Sequence, residues 1–211
     1  MIIEPIQIYP ITLENFISDD ECKTLLNIAT HNEELFEMGR CIEVPRWDKR
    51  NIHTHMLQNN HKNAHDLIIQ VADRIQNKIR EMENTDNIWL EVPMYSRWLQ
   101  GDNLMPPHAD NIEQDGITPN YTPWRSHGIV LYLNDDFLGG ELLYEKHDIT
   151  LKPVPRTCAI HRAGIEDSHG VFEVQKGTRH TIVTFACTDK DFVDKDKNFA
   201  FLDYYKKDYF R

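Results

Sequence analysis

Apolar residues recur at helical spacing in the first part of the chain and at strand spacing afterwards. Ser18-Asp19-Asp20-Glu21 reads as a capping box, with the Ser18 hydroxyl set to accept from the amide three residues on and Glu21 returning the bond. Leu25, Leu26 and Ile28 behind it supply an apolar face. A second helix is predicted from about Lys62 to Asn84, where Ala64, Leu67, Ile68, Val71, Ile75, Ile79 and Met82 recur at intervals of three and four and form one stripe. From Ile88 the period shortens. Trp89–Tyr95, Gly128–Leu133, Glu141–Tyr144, Ile149–Leu151, Thr157–Ile160, Gly170–Val174 and His180–Ala186 read as strands. Turn signals at Asn134-Asp135-Asp136, Gly139-Gly140, Pro153, Pro155 and Lys176-Gly177 separate them.

Helices first and many short strands afterwards predict an α+β, mainly β architecture: a β-sandwich buttressed by N-terminal helices. The stretch Asn111–Ser126 is polar, carries Gly116, Pro119 and Pro123, and has no period; a loop that long inside a compact domain is usually functional. With no internal repeat, low-complexity tract or Gly/Ser linker, a single domain is expected over 1–211. Within it, 1–87 is the helical support, 88–189 the strand-rich core and 190–211 an aromatic, charged tail.

Composition narrows the classes. The 211 residues are 40% apolar, enough for a core, and no segment approaches the run of about 20 apolar residues that a membrane helix needs. Met1-Ile2-Ile3-Glu4-Pro5 lacks the basic flank and apolar stretch of a signal peptide, so a cytoplasmic protein is expected. A net charge of −11 disfavours nucleic-acid binding. Cys22, Cys41, Cys158 and Cys187 lie far apart, with no CxxC pair, and read as small buried hydrophobes.

The candidate chemistry begins at His108-Ala109-Asp110, where an imidazole and a carboxylate two residues apart share one side of an extended segment. Chance alone yields such triplets in a chain with 11 histidines. This one follows the Gly101 turn just beyond a strand, and His169 precedes another strand. Two His and one carboxylate on one face of an octahedral ion leave three positions open, the arrangement of non-haem Fe(II) oxygenases. The cluster His53, His55, His61 and His65 competes, but has no acidic or Cys ligand at a matching offset and reads as a solvated polar face. His127 and His161 read as core histidines or as supports for the ligands, His147 and His180 as structural or exposed. Arg179, ten residues after His169, starts a strand and suits a carboxylate gripped by two parallel hydrogen bonds.

These residues sit inside a longer pattern. The segment from Trp98 to Asp110 resembles an aromatic-x-x-Gly…HxD motif, Val130-Leu131-Tyr132-Leu133-Asn134 a "YLN" strand, and Gly139-Gly140-Glu141-Leu142 a "GGEL" turn. His169-Gly170-Val171, followed by Val174, Gly177 and Arg179, resembles an "H-x-V…V-x-x-G-x-R" ending. Over roughly Ile6 to Asp189 the chain is similar to the 2-oxoglutarate/Fe(II)-dependent dioxygenases of the prolyl 4-hydroxylase type. The resemblance implies a double-stranded β-helix, or jelly roll, with iron held by His108, Asp110 and His169 between its two sheets. It implies 2-oxoglutarate as co-substrate, its C5 carboxylate met by Arg179 and the Tyr132 hydroxyl, and ascorbate as an accessory. Hydroxylation with release of succinate and CO₂ follows. Trp98 stands where the family usually has Tyr and offers only an N–H donor.

The substrate expected first is a prolyl residue in a peptide or protein; a free amino acid or other small molecule is the alternative. A non-catalytic, metal-binding interaction protein is the third reading. Trp98, Tyr121, Trp124 and Arg125 are candidates for the pocket mouth, and Arg40–Met56, with Pro45, Arg46 and Trp47, for another wall. Phe192, Phe199, Phe201, Tyr204, Tyr205, Tyr209 and Phe210 crowd the tail, so it should pack on the domain or form a dimer contact.

Overall fold

The computed structural model describes residues 9–41, 45–102, 105–195 and 200–209. The chain enters through β1 (Ile11–Leu13) and forms α1 (Asp19–His31), α2 (Glu33–Met38), β2 (Asn51–His53) and the long α3 (Lys62–Glu83). α1 starts as its sequence dictates: the Glu21 amide donates to Ser18 Oγ at 3.2 Å and the Ser18 amide to the Glu21 carboxylate at 2.7 Å. α3 buries Ala64, Ile68, Val71, Ile75 and Ile79 and ends at Asn84 in the left-handed conformation.

The strands are β3 (Trp89–Leu90), β4 (Met94–Leu99), β5 (Met105–His108), β6 (Arg125–Tyr132), β7 (Leu138–Gly139), β8 (Leu142–Tyr144), β9 (Ile149–Leu151), β10 (Cys158–Arg162), β11 (His169–Val171), β12 (Val174–Lys176) and β13 (Thr178–Cys187). α4 (Lys190–Lys195) and α5 (Leu202–Tyr209) follow. The strand expected over 89–95 is two strands. Pro93 has no amide for the ladder, and the Val92 amide turns aside to the Ala200 carbonyl. The strand expected over 170–174 also divides, because β11 pairs with β5 and β8 whereas β12 pairs with β7.

The main sheet has the order β1-β10-β6-β13-β4-β2, with β3 also on β13; the minor sheet is β5-β11-β8-β9. Together they form an open jelly roll, with α1 and α3 packed on the outer face of the main sheet. The period of two divides each main strand between two cores. Ile129, Leu131, Ile160, Ile182 and Tyr95 join Leu25, Ile68 and Ile75 on the helix side. Val130, Tyr132 and Ala159 join Leu142, Tyr144 and Val171 between the sheets. β5 is an edge strand containing Pro106 and Pro107.

The tail packs on its own chain. Val193 and Phe201 bury against Cys187, with Trp89, Trp124, Phe192 and Tyr204 around them, and Tyr205 lies on the helix-side core. Phe199, Phe210 and the Tyr209 side chain lie outside the described residues. This docking corrects the reading of His65 as solvated: His65 is buried, with Nε2 2.8 Å from the Tyr205 hydroxyl. Among the described residues no helix is long and apolar enough to cross a membrane.

Candidate metal centre

β5 and β11 pair with His108 directly opposite His169, so the register itself sets two imidazoles side by side, their centroids 4.6 Å apart. Asp110 lies two residues past β5 and is fixed by its amide, which donates to the Ala163 carbonyl at 2.8 Å. Asp110 Oδ1 is 3.8 Å from His108 Nε2 and 3.9 Å from His169 Nε2. One ligand atom from each residue lies within 4.8 Å of the others. A single ion with bonds of about 2 Å can bridge such a group.

The tautomers suit ligation. His108 Nδ1 is 3.1 Å from the Pro106 carbonyl and His169 Nδ1 is 3.1 Å from the Asp167 carbonyl. A carbonyl only accepts, so each Nδ1 carries the proton and each Nε2 presents a lone pair to the centre. Burial, reinforced by neighbouring His161, pushes His169 down to about 3, so its ring is neutral at neutral pH. Burial opposes ionisation of Asp110, but His169, the hydrogen bond from His161 and His108 outweigh it and hold the carboxyl below its ordinary range. The centre thus offers one carboxylate and two imidazole nitrogens. That set suits a divalent first-row ion, and the HxD…H pattern within it suits iron.

His161, which the sequence left between core and support, belongs beside these ligands: its Nε2 is 3.1 Å from Asp110 Oδ2. The signal was its place in β10, two residues from Ala159 and so on the same inward face. His147 is engaged by Asp167 at 2.6 Å, and His180 is buried on the helix side of β13.

Arg179 and Tyr132 project from the main sheet into the same space between the sheets. Arg179 is 2% exposed, and its guanidinium carbon is 5.2 Å from the Tyr132 ring centroid. Neither Arg179 Nε nor the Tyr132 hydroxyl has a hydrogen-bond partner among the described residues. Each such buried group costs on the order of 1–3 kcal/mol if it stays unpaired, so two together fit an anionic guest such as a carboxylate. Burial raises the Tyr132 phenol above its ordinary value, with Arg179 opposing, so the hydroxyl keeps its proton and can donate. Gly140 makes room: a Cβ there would stand 2.9 Å from Arg179 Cδ.

The other pocket candidates separate. Trp98 lies opposite Arg179 in the β4–β13 ladder and meets Trp47 edge-on at 5.4 Å. Of the wall expected over 40–56, residues 42–44 lie outside the described residues. Tyr121 is 83% exposed on the loop after Asp110. Trp124 and Arg125 are not presented to the triad. Trp124 stacks on Phe192 at 4.5 Å and donates to Glu91, while Arg125 pairs with both Glu91 oxygens at 3.0 Å and covers Phe185. The tail and Glu91 take up the groups that the sequence suggested for the mouth. The loop itself is tied to the centre through Thr122 Oγ1, which donates to the Asp110 carbonyl at 2.7 Å.

No family model matches the chain. Over 86 residues it is 37% identical to human prolyl 3-hydroxylase 3, a match covering 35% of this chain and 12% of that protein's length. In structure it is similar to a viral collagen prolyl hydroxylase from Paramecium Bursaria Chlorella virus-1, solved with 2OG: TM-score 0.59, 21% identity, 87% of this chain and 97% of that one. A Pseudomonas putida prolyl-4-hydroxylase gives a TM-score of 0.62 at 16% identity, over 85% of this chain and 92% of that one. By fold over most of its length, and by sequence over about a third of it, the chain is similar to the prolyl hydroxylases of the 2-oxoglutarate/Fe(II) oxygenase family.

Proposed function

We propose that this chain is a 2-oxoglutarate- and O₂-dependent Fe(II) dioxygenase that hydroxylates a prolyl residue in a peptide or protein. His108, Asp110 and His169 hold the iron, and Arg179 with Tyr132 holds the far carboxylate of 2-oxoglutarate. One observation carries the reading: three convergent ligand atoms share the space between the same two sheets with a buried Arg–Tyr pair whose Nε and hydroxyl have no hydrogen-bond partner among the described residues. The prolyl substrate is supported by the relative matched in sequence, which is named a prolyl hydroxylase.

When bound, iron and 2-oxoglutarate supply the oxidising power, with CO₂ and succinate released and one oxygen atom passed to the substrate. The chain's own residues bind, orient and exclude water. Two imidazoles and one carboxylate would hold the ion and neutralise only part of a divalent charge, and a ligand set of this kind would leave positions open for reactants. Arg179, desolvated and planar, grips a carboxylate with charge-assisted hydrogen bonds, and Tyr132 adds a third donor. Val130, Ala159, Leu142 and Val171 make the surrounding walls apolar, which strengthens those bonds. Trp98, beside Arg179, is a candidate wall of the substrate pocket, with exposed Tyr121 at its rim. Four free thiols support a cytoplasmic setting.

The test is succinate release by purified protein with Fe(II), 2-oxoglutarate and ascorbate as added reductant, with and without a proline-rich peptide. Peptide-dependent turnover and a peptide mass gain of one oxygen are expected. Turnover with free amino acids alone would favour a small-molecule substrate, and none with any substrate a non-catalytic jelly roll.

A further inference from the structure

One buried histidine has no part in the proposed ligand set. His161 is 1% exposed in β10 and lies across from Gly128 of β6. Its Nε2 is 3.1 Å from Asp110 Oδ2, its Nδ1 is 2.8 Å from the Tyr144 hydroxyl, and its ring centroid is 4.0 Å from that of His169. The donors run one way. An ionised carboxylate only accepts, so His161 Nε2 carries the proton; Nδ1 then holds a lone pair and accepts from the Tyr144 hydroxyl. Tyr144 is fully buried, so this small network is shielded from water.

The arrangement divides the two oxygens of Asp110. Oδ2 is engaged by His161, while Oδ1 faces His108 and His169. Gly128 is what admits the contact. A Cβ at that position would stand 2.2 Å from His161 Nε2 and 2.5 Å from Asp110 Oδ2. Gly128 lies inside a strand with no left-handed φ, so its glycine answers to space and not to backbone conformation.

We propose that His161, oriented by Tyr144 and admitted by Gly128, is a positioning residue that engages one oxygen of Asp110 so that the carboxylate meets a divalent ion through the other alone. The inference rests on the metal centre proposed above and adds to it how Asp110 is presented. A carboxylate binding through one oxygen takes one coordination position; binding through both would take a second and crowd the face left for reactants. Outer hydrogen bonds of this kind orient ligands, and their loss weakens metal affinity by about 10–100-fold.

The experiment titrates Mn(II) into metal-free protein and follows the unbound ion by EPR, without turnover. Wild type should take up one equivalent; if it takes up none, the metal centre itself is misread, whatever His161 does. His161→Leu should bind about 10–100-fold more weakly. His161→Gln, which keeps an N–H donor, should recover most of the loss, a rescue that a purely space-filling role would not produce. Tyr144→Phe should weaken binding several-fold. A folded His161→Leu with wild-type affinity overturns the proposal, as does a Gln variant no better than Leu. If His161→Leu does not fold, Tyr144→Phe decides, and unchanged affinity there overturns it equally.

Discussion

Residues 128–132 of β6 alternate between two environments. Ile129 and Leu131 face the helices and join a continuous apolar core with Leu25, Ile68, Ile75 and Ile79. Gly128, Val130 and Tyr132 face the space between the sheets, into which His161 and Arg179 of the main sheet and Asp110 and His169 at the minor sheet also point. The same strands therefore hold the fold on one face and present the chemistry on the other. The helix-side core is built mainly of apolar side chains, whereas the inner face gathers His108, Asp110 and His169 beside Arg179 Nε and the Tyr132 hydroxyl, two polar atoms without a hydrogen-bond partner among the described residues. Stability and binding should thus respond to different substitutions, although the residues concerned are neighbours in sequence.

The hardest test of this division is Asp110→Ala. It should abolish turnover and most Fe(II) affinity while the thermal transition survives, because the helix-side core is untouched; collapse of the fold would break the comparison. Arg179→Ala comes next. Losing one partner of a buried charged pair costs on the order of 3–5 kcal/mol, so 2-oxoglutarate should bind roughly hundreds-fold more weakly. Arg179→Lys should fall between, and metal affinity should hold in both, as read by titrating 2-oxoglutarate into the metal-loaded protein. On the other face Ile68→Ala should cost about 2–4 kcal/mol in urea denaturation. Its 2-oxoglutarate KM should stay at the wild-type value; a changed KM would mean that the faces are coupled.

The last test, whose effect appears only on acidification, concerns His180 on the helix side of β13. Burial, with Arg97 nearby, pushes it from an ordinary 6.5 down to about 4. Between those values the unfolded chain binds the proton and the folded chain does not, so stability rises with pH across the window and falls on acidification from about 6.5 to 4. The slope from one group is at most about 1.4 kcal/mol per pH unit. His180→Gln should flatten the stability profile by that share, measured as denaturation midpoints between pH 4 and 7. An unchanged profile would remove His180 as a source of acid sensitivity.

Local features were the legible ones. The Ser18 capping box and the Ala64–Ile79 stripe depend on residues within a turn or two of each other, and both stand in the structure. His108, Asp110 and His169 also meet, and there the longer motif pattern around them was the guide, because the β5–β11 pairing joins residues far apart in sequence. Long-range contacts outside that motif pattern were not legible. Nothing near Trp124 and Arg125 announces that Phe192 and Glu91 will claim them, and nothing near His65 announces Tyr205. The break at Pro93 was encoded, but an apolar run around it hid the missing amide. Two prolines likewise masked β5, which pairs all the same because it lies at an edge.

That edge has a consequence for how a peptide can arrive. An exposed edge strand normally offers a row of amides and carbonyls on which another chain can add itself. β5 runs Met105-Pro106-Pro107-His108, and two of its four residues have no amide to give. The strand bearing His108 is therefore a poor template for strand addition, whether by a substrate or by a second copy of the same sheet. On the function proposed above, a peptide at this centre would be held by side chains and not by strand addition, and edge-to-edge stacking along β5 is disfavoured.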